Sequence, residues 1–137
     1  MDDYGDAQRG KTIIVDGNNV IASVADGWWR DRPAAVRRLL PRLACHRRRT
    51  GDAVILVLDV AQPDLPAGDH DGVEVVYPRQ RGRNAADGRI IELLDERDLG
   101  DVEVVSSDRA LAAGARHRGA RVVGAGSFRA HLDGAGC

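Results

Sequence analysis

The chain has 137 residues, 43% of them hydrophobic, enough to bury a core without a structural metal. Its formal net charge of -1 argues against a protein that coats nucleic acid indiscriminately and allows local basic patches beside an acidic pocket. The two cysteines, Cys45 and Cys137, form no C-x-x-C pair, which argues against a zinc ribbon and a disulfide framework and sets the expectation of a reducing, cytoplasmic setting.

In chain order, residues 1–10 open with MDDYGD, which lacks the basic start and apolar run of a signal peptide and reads as a mobile tail. Gly5 to Thr12, GDAQRGKT, fits the P-loop pattern letter for letter. A phosphate loop follows a strand and opens a helix, however, and here Lys11 stands at the start of a strand. The motif fails on context. Thr12–Val15 is the first of five short, largely β-branched runs; the others are Val54–Leu58, Val73–Tyr77, Val102–Val105 and Arg121–Val123. Such runs suit strands covered on both faces.

Helical spacing fills the gaps. Residues 33–48 carry Val36, Leu39, Leu40, Leu43 and Ala44, with Pro33 in the first turn and Pro41 expected to kink the helix. Residues 85–97 carry Ile90, Ile91 and Leu94; residues 108–118 carry Leu111, Ala112 and Ala115. A short last helix is expected over Phe128–Leu132, and Ala61–Gly72 reads as a loop. The alternation predicts an α/β fold: a three-layer α/β/α sandwich with a mainly parallel sheet of about five strands, forming a single domain over residues 11–133, with 134–137 as a tail. No apolar stretch approaches the roughly 20 residues that cross a bilayer, so no membrane partner is expected.

Parallel sheets bind ligands beyond the C-terminal ends of their strands. Asp16 and Asp59 directly follow strand residues there, and Asp108 follows the fourth strand by three residues. Asp87 and Asp108 each stand three, four and seven residues before an apolar stripe, which aims their carboxylates toward the sheet. Helix capping accounts for either one alone. Together the acids point to a metal-binding pocket suited to Mg²⁺ or Mn²⁺, hard ions that favour oxygen. His46, His70, His117 and His131 have no ligand spacing with these acids and read as isolated surface residues.

The stretches IIVDGNNVI, GRNAADGRI, VVSSDRAL and GAGSFRAHL, in this order, resemble the YacP-like members of the NYN domain family, which belongs to the PIN-like nucleases. The resemblance runs from about Lys11 to Leu132. It implies a parallel sheet flanked by helices and divalent-metal-dependent endonucleolytic cleavage of RNA, leaving a 5′-phosphate and a 3′-hydroxyl. Asp16 matches the acid ending the first strand and Asn19 the asparagine three residues later. Asp87 matches the first acid of the A-D-D helix start, Asp108 the acid of the T/S-x-D motif, and Asp59 a position often acidic. Asp16, Asp87 and Asp108 are assigned as metal ligands, Asn19 as an orienting group, and Asp59 as an outer ligand or base. Three departures stand out: Gly88 replaces a common second Asp, Asn18 replaces a common aromatic, and residues 33–48 lack the early-helix Glu of PIN nucleases. They keep open the alternative of a catalytically weakened RNA- or ribosome-binding module.

The substrate side should be basic. Arg79, Arg81 and Arg83 immediately precede the Asp87 helix and are expected to hold phosphates of mostly single-stranded RNA. Trp28, Trp29 and Arg30 offer stacking on unpaired bases, or else the tryptophans roof the core. An aspartyl phosphatase and a P-loop NTPase are the rivals from other classes; the first usually wants an Asp where Asn18 stands.

Overall fold

The structure is a computed structural model that describes residues 10–137, so the expected tail, apart from Gly10, and Gly5–Arg9 of the P-loop-like stretch lie outside the described residues. Six strands form one sheet: β1 (Thr12–Asp16), β2 (Ala53–Val57), β3 (Gly68–His70), β4 (Val73–Val76), β5 (Val102–Val105) and β6 (Arg121–Val123). Their order is β3-β4-β2-β1-β5-β6. Every pairing is parallel except β3 with β4, an antiparallel edge inside the stretch read as loop. Five helices cover the sheet: α1 (Gly17–Ala22), α2 (Arg32–Thr50), α3 (Ala85–Glu96), α4 (Arg109–His117) and α5 (Ala125–Gly134).

The pleat sorts the core into two halves. Ile13 and Val15 of β1, with Val54, Leu56, Val73 and Val75, pack against Val20 of α1, Val36, Leu39 and Leu43 of α2, and Phe128 and Leu132 of α5. Ile14 points the other way and joins Ile55, Val57 and Val104 against Ile90 and Leu93 of α3 and Leu111 and Ala115 of α4. The three-layer expectation therefore holds, with one strand more than expected. Connections from β1 and β5 leave on opposite faces, so the strand ends at Asp16 and Val105 flank the point where the winding reverses, the place where such sheets open a crevice.

Several local readings change. The unpredicted α1 follows Asp16 without a break, and a one-turn 3₁₀ helix covers Trp28–Arg30. Helix α2 runs through Pro41 as one element; Asp31 caps its start by accepting from the Ala34 N–H at 3.1 Å. Helix α5 begins at Ala125, earlier than expected. His46 is no surface residue: it is 4% exposed, and its Nε2 lies 2.8 Å from Asp52 Oδ2. Asp52 also accepts from the Lys11 backbone N–H at 3.0 Å, so the lysine of the P-loop-like motif tethers the entry of β1 to that of β2. Burial alone would raise the Asp52 carboxyl, but the His46 hydrogen bond and Lys11 together hold it below the usual carboxylate range.

Against the expectation from composition, Cys45 and Cys137 are joined, their Cα atoms 5.6 Å apart. The cause is that α5 returns the end of the chain to α2, where Arg42 Nε donates to the Cys137 carbonyl at 3.0 Å. Residues 134–137 are thus held against the body instead of trailing from it. No helix among the described residues is long and apolar enough to cross a membrane.

Gly17 fixes how closely β1 can turn into α1. A Cβ there would stand 2.6 Å from Leu58 Cδ2, 2.8 Å from Leu56 Cδ1 and 3.1 Å from the Val57 carbonyl oxygen. Gly17→Ala should therefore push the Asp16 turn away from β2 and cost about 1–3 kcal/mol, read as a lowered midpoint in urea unfolding at unchanged slope.

Candidate active site

Beyond the C-terminal ends of β1, β2 and β5, a cleft of about 280 Å³ is lined by Asp16, Asp59, Asp87 and Asp108, together with Asn18, Asn19, Asn84, Ala22, Trp28 and Arg32. Four acids separated by as many as 92 positions in sequence thus share one mouth, and Arg32 is the one basic side chain among those lining it.

Each acid is positioned by a separate device. Asp16 ends β1, is 5% exposed, and accepts the Ser106 hydroxyl at 2.8 Å through Oδ2. The same Ser106 oxygen accepts the Asp108 backbone N–H at 3.1 Å, so one hydroxyl joins the ends of β1 and β5. Asp108 is the N-cap of α4 and spends Oδ1 on the Leu111 N–H at 2.8 Å. Asp59, one residue past Leu58, spends Oδ1 on the Ala86 N–H at 3.2 Å and thereby caps α3 from another part of the chain. Asp87 lies in the first turn of α3 and forms no cap bond; the N-cap position itself is Asn84, in the left-handed region. Capping therefore explains one oxygen of Asp108 and one of Asp59, and leaves Asp87 without a structural partner among the described residues.

Two asparagines brace the frame. Asn18 Oδ1 accepts from the Asp59 N–H at 3.0 Å, and Asn19 Oδ1 accepts from the Ser107 N–H at 2.8 Å. In each case the amide nitrogen remains to donate elsewhere. Ser106 and Asn18 are the residues that sequence reasoning undervalued: Ser106 sits in the SSD triplet and signalled itself only as part of a motif, and Asn18 registered only as a departure.

The electrostatics follow from crowding. Burial pushes the Asp16 carboxyl from 3.8 up to about 6; Asp87 and Asp59 push the same way, while the Ser106 hydroxyl and the Asn19 backbone act against them. Burial also raises Asp87, with Asp108 and Asp59 adding to it. Carboxylates placed so as to resist ionising together suit a bound cation, and every donor here is a hard oxygen. Among the described residues no three acid, imidazole or thiolate groups already surround one point, so the fit rests on the chemistry of the donor set.

The basic residues divide. Trp28 is half-buried, packs on the core and lines the acidic cleft, whereas Trp29 is 55% exposed. Their rings meet edge to face at 6.0 Å, with the Arg32 guanidinium 5.1 Å from the Trp28 ring and Arg30 at 5.6 Å from Trp29. Arg79, Arg81 and Arg83 do not reach the acidic cleft. They line a neighbouring one, along the other side of the start of α3, with Gly88 and Arg89. Arg79 is engaged by Glu96 at 2.7 Å, while Arg81 and Arg83 form no ion pair with another described residue.

A raised carboxyl binds its proton more tightly in the folded than in the unfolded chain, so this group's contribution to stability falls as pH rises from about 4 to about 6. The shift from 3.8 to about 6 corresponds to about 3 kcal/mol once Asp16 is ionised. Without divalent ions, Asp16→Asn should therefore unfold later than the wild type at pH 7.5, by about 1–3 kcal/mol, with the gap closing toward pH 4. Chemical denaturation of both proteins across that range reads it directly.

The sequence pattern of the YacP-like NYN domain matches residues 13–136. Among solved structures, two crystal structures of Rae1 (YacP) from Bacillus subtilis, one of them a tryptophan-to-leucine variant, are similar in fold. Their TM-scores are 0.73 for the variant and 0.67; each is 23% identical to this chain, covering 90% and 89% of it and 75% and 73% of theirs. No curated protein matches the chain. The chain belongs to the YacP-like NYN domain family, a family of PIN-like nucleases.

Proposed function

We propose, with membership of this family as the premise, that the protein is a divalent-metal-dependent endoribonuclease acting on mostly single-stranded RNA at the cleft of Asp16, Asp59, Asp87 and Asp108. The observation that carries the reading is the convergence of these four acids at the end of a parallel sheet, with Asp16 raised first by its burial and then by Asp87 and Asp59.

Asp16, Asp87 and Asp108 would hold Mg²⁺ or Mn²⁺. When bound, the ion offsets negative charge growing on phosphate oxygens and lowers the pKa of an attacking water. The chain's own groups do the positioning. Ser106 holds one oxygen of Asp16 and Leu111 N–H holds one of Asp108, so each carboxylate turns its remaining oxygen without free rotation. Asn19, anchored through its oxygen, keeps its amide donor for a phosphate oxygen. Asp59 is likewise anchored at one oxygen and fits the part of an outer ligand or base. Arg32, braced by Trp28, supplies positive charge where the phosphate backbone meets an acidic wall.

Gly88 weighs less against catalysis than the family pattern suggests. It faces the arginine-lined cleft, and a Cβ built there meets nothing within 4 Å. The acid missing at position 88 thus subtracts from the neighbouring cleft, and the four acids of the pocket remain. This favours the enzyme over the weakened binding module.

A labelled single-stranded RNA should be cut in Mn²⁺ or Mg²⁺ and left intact in EDTA. Asp16→Asn and Asp87→Asn should each lower the rate at least about a hundredfold, more than losing an outer-shell partner usually does. RNA that is bound but never cut by the wild type would leave the binding module as the correct reading. Arg81 and Arg83 are the phosphate-holding candidates, so their joint replacement by Ala should reduce the salt dependence of RNA binding by about 0.7 in log–log slope per lost contact, with cleavage at saturation little changed.

A further inference from the structure

A second cleft of about 310 Å³ opens beside the acidic one and shares two residues with it, Asn18 and Arg32. Its character is different. The floor is Val36 and Leu58, each 1% exposed, and the walls include Pro33, Pro63 and Val60, the last 62% exposed. An open apolar cleft of this size, near the low end of the roughly 300–1,000 Å³ of small-ligand pockets, fits a flat ring better than a protein segment.

The geometry points to a nucleobase subsite: resting on the nuclease reading above, this cleft takes the unpaired base of the nucleotide next to the phosphate held at the acids. Three observations converge. The two clefts meet at Arg32, whose charge fits a phosphate between base and acids. The apolar walls match the face of any base, which stacking recognises without regard to sequence. Gln62 lines the cleft, and its Oε1 is covered from solvent with no hydrogen-bond partner among the described residues. The terminal torsion of a glutamine amide is broad, so a small turn offers that oxygen to an N–H on a base edge. A single nucleotide then spans both chemistries, base on the apolar side and phosphate toward the acidic side, and a paired base could not enter without leaving its helix.

The test is an amide NMR titration of the whole chain in magnesium buffer, comparing adenosine and uridine 5′-monophosphates with ribose 5-phosphate. The nucleotides should bind at least about fivefold more tightly, the low end of what stacking on a protein contributes, with shifts at Val36, Val60 and Gln62. Val60→Asn, at an exposed position that leaves the fold intact, should bring the ratio close to one. The trinucleotide UpUpU should shift the same amides together with Asn19, placing the base on an RNA strand. Equal affinity for nucleotide and ribose phosphate, or shifts that avoid the cleft, would overturn the subsite. Mononucleotide binding without trinucleotide binding would overturn its assignment to RNA. Cleavage is scored separately: a protein that cuts RNA but shows no preference for a base loses the subsite and keeps the nuclease, and the reverse result does the opposite.

Discussion

Burying a carboxylate beside other carboxylates is costly, and the rest of the site is built around that cost. Asp16 is nearly inaccessible to water, so ionising it beside Asp59 and Asp87 is costly, and burial lifts its pKa to about 6. Among the described residues no cation forms an ion pair with these acids; Arg32, the one basic side chain lining the cleft, lies over the Trp28 ring. The fold gives three of the acids neutral donors: the Ser106 hydroxyl and the Asn19 backbone for Asp16, the Ala86 N–H for Asp59 and the Leu111 N–H for Asp108. A neutral donor fixes where a carboxylate points without cancelling its charge. The result is a set of oriented, under-compensated oxygens, which is what a divalent guest requires of its hosts.

The opposite end of the strands shows what the chain does with an acid that ties the sheet together. Asp52 is as buried as Asp16, yet it receives His46, the Lys11 backbone and the Lys11 charge, and its carboxyl is held low. Two aspartates of similar burial, at opposite ends of adjacent strands, are driven in opposite directions by their partners. Burial alone therefore does not mark a functional acid here; the absence of a compensating charge does.

Much of this was legible because parallel sheets leave loud signals. The apolar runs of β1, β2, β4 and β5 are buried on both faces and so are nearly continuous in sequence, and the rule that ligands sit beyond strand ends singled out Asp16, Asp59 and Asp108. What escaped notice is short or contextual. Helix α1 has six residues, among them a glycine and two asparagines, and is held by packing of Val20 and Ile21 against the sheet. Strand β3, Gly-Asp-His, has no hydrophobic pattern at all and owes its existence to the free edge of β4. The roles of Ser106 and His46 and the joining of Cys45 to Cys137 are pairings across the fold, which no local pattern encodes. Conversely, the P-loop-like letters misled: Lys11 precedes a strand instead of a helix, and its backbone N–H goes to Asp52.

Helix α3 gives the site its two-sidedness. Successive residues on a helix are about 100° apart, and here that rotation sets Asp87 toward the acidic cleft and Gly88 toward the arginine-lined one. Asn84 and Asp87 line the acidic side; Ala85, Gly88, Arg89 and Glu92, at helical spacing, line the side walled by the arginine loop. A glycine at 88 leaves that second wall low, and Arg81 and Arg83, which form no ion pair with another described residue, line the same cleft. An acid there would have offered them an internal partner and weakened their attraction for phosphate. The departure from the family pattern thus leaves positive charge on the flank of the arginine-lined cleft and leaves the four acids on the other side of the helix untouched.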